Sequence, residues 1–269
     1  MAAGDTSARV AFASSDGDLQ QLTGDLNTMI ERLVGLAAAQ DRFVANAAHE
    51  LRTPLTALRI ELEHALKSAH DLDDAQTAMR GALDSGRRLS KLADELLVVA
   101  RARAAKRTQG EICGVRECVD DAVNYVRSIA EARQVRIELA PMTTVLVWGE
   151  RAGISRIVRN LLENAVRHSP SGERVRVVSE LDGDTLRLAI EDHGGGVDPR
   201  DHARVFEPFE RLERDDAGAG LGLSIARSLA HAFGGDVEID AKYTEGARFV
   251  LRLRVQSASR APAGEATAA

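Results

Sequence analysis

The order of apolar and polar residues divides the chain into two textures. From Leu19 the apolar positions Leu22, Leu26, Met29, Leu33 and Leu36 follow at alternating spacings of three and four. That is a heptad seam, and it predicts a helix able to pair with a second copy as a parallel coiled coil. The helix is predicted to continue to about Ser68, because Val44, Ala47, Leu51, Leu55, Leu58 and Leu62 keep the same spacing and form one stripe. Pro54 removes a backbone donor inside it and predicts a bend. Residues 70–74 (HDLDD) predict a turn, with Asp73 or Asp74 as cap of the next helix. In that second helix the apolar positions are Ala78, Ala82, Leu89, Leu92, Leu96 and Val99. Two long helices joined by a short turn make a hairpin, and a lone hairpin cannot cover both its faces. The expected structure is a dimeric antiparallel four-helix bundle, one hairpin per chain.

A polar linker at 106–110 (KRTQG) ends this texture. Beyond it, helices are predicted over 116–132, 153–168 and 221–233. Strands are predicted over 135–139, 145–148, 174–181, 185–191, 237–239 and 249–255, several of them alternating apolar and polar residues. Residues 192–216, rich in Gly, Asp and Arg, predict a long loop or lid. Helices and strands alternating irregularly predict a mixed sheet with helices packed on one face. Residues 1–17 read as a connector, and 257–269, rich in Ala, Ser and Pro, as a disordered tail.

Composition changes this picture little. Aromatic residues are only 3% of 269, so the cores must be built from Leu, Val, Ile and Ala. A net charge of −6 favours solubility and gives no basis for nucleic-acid binding. Cys113 and Cys118 are the only cysteines and have no metal-ligand pattern, which fits a reducing compartment. No apolar run approaches the roughly 18 residues of a membrane span, so the stretch given is expected to be soluble.

Candidate chemistry is concentrated at four places. His49, followed at once by Glu50, stands with Thr53 on a helix face away from the apolar stripe. A neutral imidazole is a nucleophile, and an adjacent carboxylate can take its proton. On the helix over 153–168, Arg156, Asn160, Asn164 and His168 run four apart on one face. Two asparagines in register are costly in a helix interior, and their neutral carbonyl oxygens suit Mg²⁺. Glu191-Asp192-His193-Gly194-Gly195-Gly196 leaves a strand with an acceptor for an exocyclic amine and glycines that admit a flat ligand. Gly218-Ala219-Gly220-Leu221-Gly222-Leu223 opens a helix whose free N–H groups suit phosphate. Between the glycine clusters lies FEPFER, where Phe206 and Phe209 are placed to pin a lid and Arg211 to reach a terminal phosphate. His64, His70, His193, His202 and His231 have no ligand spacing and read as surface or loop residues.

The order HELRTPL, Asn160–Asn164, DxGxG, FEPFER and GxGLGL resembles the sensor histidine kinases of two-component systems over about residues 4 to 255. The stretch from GDTSARV through Leu36 resembles the end of a HAMP signal-relay module. The resemblance implies residues 1–40 as that remnant and a signalling helix, and 41–106 as the dimerisation and histidine phosphotransfer domain. It implies 111–256 as an α/β-sandwich ATP-binding domain of the Bergerat type, shared with Hsp90-like, gyrase-like and MutL-like ATPases. It further implies the cytoplasmic portion of a membrane sensor whose membrane contact is made only through a preceding segment. The cofactors implied are ATP and Mg²⁺, and the partners a second copy of the chain and the receiver domain of a response regulator.

Carried over by residue, the resemblance makes His49 the phosphoacceptor and Glu50 the base for its other ring proton. Thr53 would assist dephosphorylation of the regulator. Asn164 with Asn160 would hold Mg²⁺, Arg167 would meet phosphate, and His168 would lie near the adenine. Asp192, Gly194 and Gly196 would recognise adenine, with Gly218, Gly220, Leu221 and Gly222 along the triphosphate and Phe206 and Arg211 in the lid. Ala217, Ala219 and Ala247 depart from residues common in the family. Hsp90-like ATPases carry a water-activating glutamate four residues before the magnesium asparagine. Asn160 stands there and cannot act as a base. That favours transfer to His49, with an ATP-binding scaffold or a plain ATPase as the alternatives.

Overall fold

One helix, α1 (Gly17–Lys67), runs through both apolar patterns and carries Pro54 in its interior. The computed structural model describes residues 17–67, 70–104, 111–142, 144–212 and 219–256. The relay-module residues before Gly17, the 106–110 linker, Ala217, Gly218 and the 257–269 tail lie outside them. Helix α2 (Leu72–Ala104) follows a turn. The chain divides into two units between Leu89 and Ser90, inside α2.

In the first unit the cap of α2 is Asp71, not Asp73 or Asp74 as expected. The Asp71 Oδ1 accepts from the Asp74 N–H at 2.8 Å, and the Asp74 carboxylate accepts from the His70 N–H at 3.1 Å. The aspartate two positions before Asp73 wins because its carboxylate can reach the free N–H of the third helical residue. The His70 N–H and then the His64 ring, which lies 3.1 Å from Asp74 Oδ1, hold Asp74 below its ordinary range. Small residues line α2 where it meets α1: Ala78, Ala82 and Ser85 are buried, and a Cβ added at Gly81 would stand 3.0 Å from the Glu61 carboxyl carbon.

The predicted α1 stripe does not stay together. Ala47, Leu51 and Leu58 are half-buried, whereas Val44, Leu55 and Leu62 are 59%, 53% and 43% exposed. One neighbouring helix covers only a narrow seam of a helix surface, so a broad stripe is split. Leu22, Met29, Leu33 and Leu36 of the heptad seam are likewise exposed. Among the described residues no helix is long and apolar enough to cross a membrane.

The second unit begins with the last turns of α2, where Leu92 and Val99 are buried. It continues through β1 (Ile112–Gly114), α3 (Val115–Ala132), β2 (Arg136–Leu139), β3 (Leu146–Trp148) and α4 (Arg151–His168). Then come β4 (Arg174–Asp182), β5 (Thr185–Glu191), two 3-10 turns (Pro199–Asp201 and Arg204–Phe206), α5 (Gly222–Ala232), β6 (Asp236–Ile239) and β7 (Arg248–Arg254). The expected lid is therefore partly regular. The sheet order is β2-β4-β5-β7-β6, with β2–β4 parallel and the other pairs antiparallel. Strand β1, which the sequence pattern does not reveal, pairs antiparallel with β3 in a separate two-stranded sheet.

Alternation decides which face is covered. Val175, Val177, Leu186, Leu188, Ile190, Phe249, Leu251 and Leu253 point to one face and are buried with Val119, Val126, Ile154, Leu161 and Ala226 of the three helices. The opposite face is charged: Arg248 pairs with Glu191 at 3.0 Å, and Arg252 with Glu238 at 3.7 Å. Cys113 and Cys118 are free thiols with sulfurs 3.5 Å apart; burial pushes the Cys118 thiol up to about 12.

Candidate functional site

Strand β5 delivers Asp192 to the head of the glycine run, and the last strand region holds it there. The Asp192 N–H donates to the Ala247 carbonyl at 2.9 Å, and the Ala247 N–H returns to Asp192 Oδ1 at 2.9 Å. The Gly194 N–H also donates to Oδ1, at 3.0 Å. Asp192 is 1% exposed, yet its Oδ2 is buried without a hydrogen-bond partner among the described residues. Burial pushes the carboxyl above its ordinary range, against the opposing pull of the two N–H groups. A fixed acceptor is thus left with one oxygen unspent, at a cost that folding alone does not require.

Glycines make room around it. A Cβ at Gly194 would stand 2.5 Å from the His168 carbonyl oxygen, and one at Gly246 would stand 2.1 Å from that of Asp192. Gly196 has φ +72 and faces the Gly246 carbonyl. Gly195 and Gly222 differ: a Cβ at Gly195 would meet nothing within 4 Å, and one at Gly222 only the Asn160 Cβ at 4.0 Å. Packing among the described residues does not demand glycine at those two positions, which leaves space open beside them.

Helix α4 supplies the other wall. Its apolar face, Ile154, Ile157, Val158, Leu161 and Ala165, is buried. Asn160 is buried too, and its Nδ2 donates to the Gly222 carbonyl at 3.0 Å, which ties α4 to the start of α5. That leaves the side-chain carbonyl oxygen as its remaining polar group. Asn164 lies one turn on, half-buried, Arg167 is half-buried, and His168 ends the helix with an exposed ring. No group of three or more His, Cys, Asp or Glu able to hold a metal occurs among the described residues. Neutral oxygens such as those of Asn160 and Asn164, completed by phosphate, remain a donor set that suits Mg²⁺.

The segment after the second 3-10 turn meets the start of α5. The Phe209 N–H donates to the Gly220 carbonyl at 2.9 Å, both residues having φ +68. A Cβ at Gly220 would stand 2.9 Å from the Glu210 carbonyl oxygen. Leu221 is buried, and its carbonyl accepts from Ser224 Oγ and the Ile225 N–H. Phe206, expected to pin the lid, is packed in the core, edge-on to Phe249 with ring centroids 6.3 Å apart. Arg211 is exposed. Sequence reasoning gives no role to Gly246, since its closeness to Asp192 arises only from the pairing of β5 with β7.

In the first unit His49 and Thr53 are exposed on α1 and Glu50 is half-buried, as the face pattern predicts.

Comparisons with known proteins follow the same division. Residues 39–105 match the family model of the His Kinase A (phospho-acceptor) domain, and residues 149–257 that of the histidine kinase-, DNA gyrase B- and HSP90-like ATPases. The sensor protein CutS of Streptomyces coelicolor is 34% identical over 260 residues, covering 94% of this chain and 61% of CutS. The signal transduction histidine-protein kinase/phosphatase MprB of Mycolicibacterium vanbaalenii is 32% identical over 235 residues, 83% of this chain and 47% of MprB. The chain thus spans about half to three-fifths of these relatives. Among solved structures, the Acinetobacter baumannii histidine kinase AdeS superposes with a TM-score of 0.64 at 23% identity, over 78% of this chain and 98% of that one. A mycobacterial sensor histidine kinase MprB superposes with a TM-score of 0.50 at 30% identity, over 55% of this chain and 99% of that one.

Proposed function

The chain belongs to the sensor histidine kinases of two-component systems, and on that premise we propose that it transfers the γ-phosphoryl group of ATP to His49 and from there to an aspartate of a response regulator. The observation that carries the nucleotide part is the unspent Oδ2 of Asp192 inside a cradle of glycines. A buried carboxylate oxygen held by two N–H groups on its sister oxygen is an acceptor waiting for a donor, and the exocyclic amine of adenine is one. Gly194 and Gly196 let the ring approach, and His168 stands beside them. Gly220 and Gly222 keep the start of α5 open to phosphate oxygens, where N–H groups have no intrahelical acceptor. Gly218 and Arg211 would extend that contact.

Asn164 and Asn160 would hold Mg²⁺, which supplies charge neutralisation at the phosphates when bound. The remaining work is placement. A ring nitrogen of His49 attacks the γ-phosphorus, the bond to the bridging oxygen breaks, ADP leaves, and Glu50 accepts the other ring proton. Exposure of His49 suits a nucleophile that must meet first the nucleotide site and then a receiver domain. Thr53, one turn on, would orient water when the regulator is dephosphorylated. Pairing with a second copy would cover Val44, Leu55 and Leu62.

Incubation with γ-labelled ATP tests the reading. The chain is expected to take up acid-labile label, lose it to an added receiver domain, and take up none as His49→Gln. Equal labelling of His49→Gln would overturn the assignment.

A further inference from the structure

Phe206 is buried between two partners. On one side is Phe249; over its face lies the Arg227 guanidinium, 4.8 Å from the ring centroid. Arg227 belongs to α5, the helix that starts at Gly222, and Phe206 ends the 3-10 turn that begins the FEPFER segment. The guanidinium is held in place. Its Nε donates to Asp236 Oδ1 at 3.0 Å, and the same oxygen lies 2.8 Å from His231 Nε2 and accepts from the Val237 N–H at 2.8 Å. Asp236 opens β6, whose register on β7 is fixed by the pairing of Asp236 with Arg252.

A second tie joins the same pair of segments, the backbone bond from Phe209 to Gly220. Arg204, the first residue of that 3-10 turn, pairs with Asp201 of the preceding one and with Glu210, and so closes the segment on itself. A turn that is closed on itself and tied in this way has its spacing from Gly220 and Gly222 set by those contacts. One tie is main chain; the other depends on the Arg227 side chain.

The ion pair of Arg227 with Asp236 by itself is not a large stabilising contribution. Arg227 and Asp236 are 36% and 39% exposed, and pairs so wet contribute little to folding. A cation over an aromatic face gives direction as well as attraction, and here it fixes where the ring sits. We propose that Arg227 is a positioning residue for nucleotide binding: held by Asp236, it fixes Phe206, and with it the Arg204–Arg211 turn, against the glycine-bearing start of α5. The proposal rests on the nucleotide reading of the site given above.

The test is calorimetric titration of the chain with a non-hydrolysable ATP analogue and Mg²⁺, beside thermal melting. Arg227→Gln is expected to weaken binding about three- to ten-fold, the range of a partly desolvated cation–π contact, with a melting temperature close to that of the parent. Arg227→Lys keeps a cation over the ring and is expected to recover most of the affinity, and Asp236→Asn to reproduce the loss. Phe206→Leu keeps the core filled but removes the ring. Combined with Arg227→Gln it is expected to bind no worse than Phe206→Leu alone, because both changes break one contact. Binding by Arg227→Gln equal to the parent, or independent losses in the double variant, would overturn the proposal. If Arg227→Gln does not fold, the Asp236→Asn and Arg227→Lys titrations decide in the same way. A parent chain that binds no analogue overturns the nucleotide reading itself.

Discussion

The two units treat their apolar residues in opposite ways. In the α/β unit Ile154, Leu161, Leu188 and Leu251 are wholly buried, and sheet alternation sends charge to the far face. In the hairpin Val44, Leu55 and Leu62 are 59%, 53% and 43% exposed although they belong to an apolar pattern as regular as any in the chain. The first pattern is complete within one molecule; the second is half of something. The candidate chemistry follows the contrast. Asp192 is buried and fixed by two hydrogen bonds before any ligand arrives, whereas His49 stands exposed on a helix. The candidate nucleotide site is preorganised, and the candidate nucleophile is presented.

The sharpest way to break the comparison is to make the hairpin's exposed stripe polar. Leu55→Lys with Leu62→Lys removes two leucines per copy from a paired bundle, at about 2 kcal/mol for each one buried. Sedimentation is expected to show the parent as a dimer and the variant as a monomer, while the melting of the α/β unit stays where it was. A monomeric parent would show that the stripe is covered by something else.

A smaller effect probes the other side. Asp192→Asn can still accept from Gly194 and Ala247, but it places an N–H donor where the unspent oxygen was. Nucleotide affinity is expected to fall about ten- to a hundred-fold, the cost of an unpaired buried polar group. Stability should move the other way. Burial raises the Asp192 carboxyl above an ordinary aspartate, so over that window the folded state keeps a proton that the unfolded chain has released. The stability tied to that difference is present at low pH and lost as pH rises through the raised value. An asparagine side chain never ionises, so the Asp192→Asn variant is expected to melt no lower than the parent at neutral pH, with the gap closing in acid. A marked fall in melting temperature would show that Asp192 is structural.

The smallest effect serves as the control. Arg151 and Asp121 are paired at 2.8 Å but 55% and 45% exposed. Asp121→Ala is expected to leave the midpoint of a denaturant titration close to the parent's, with labelling of His49 unchanged.

How far the fold is legible follows from how local each signal is. The helices and most strands fall within a residue or two of their predicted places, because period and caps are properties of neighbours in sequence. Strand β1 escapes prediction: Ile112–Gly114 is too short to show alternation, and only its pairing with β3 makes it a strand. Asp71 is hard to single out as cap because three aspartates within four positions offer equal chemistry. The stripe of α1 is apolar as read but does not act as a unit, since sequence does not say how many helices will surround it. DxGxG identifies Asp192, but the pairing of β5 with β7 is what brings Gly246 and Ala247 against it. Phe206 and Arg227 stand 21 positions apart, and no local pattern joins them.

Strand β3 has a consequence beyond its length. On one side it takes β1, and the Gly149 N–H donates to the Glu111 carbonyl. On the other, Val147 bridges to Val255 and the Gln256 N–H donates to the Leu146 carbonyl. Glu111 and Gln256 therefore flank opposite ends of one three-residue strand, separated by about 10 Å of sheet width and about 10 Å along the strand. Joining them through a short glycine-serine bridge and opening the chain at the Gly183 hairpin is expected to yield a circular permutant that folds. A module that is entered and left beside one short strand, away from the site it carries, lends itself to insertion into another chain.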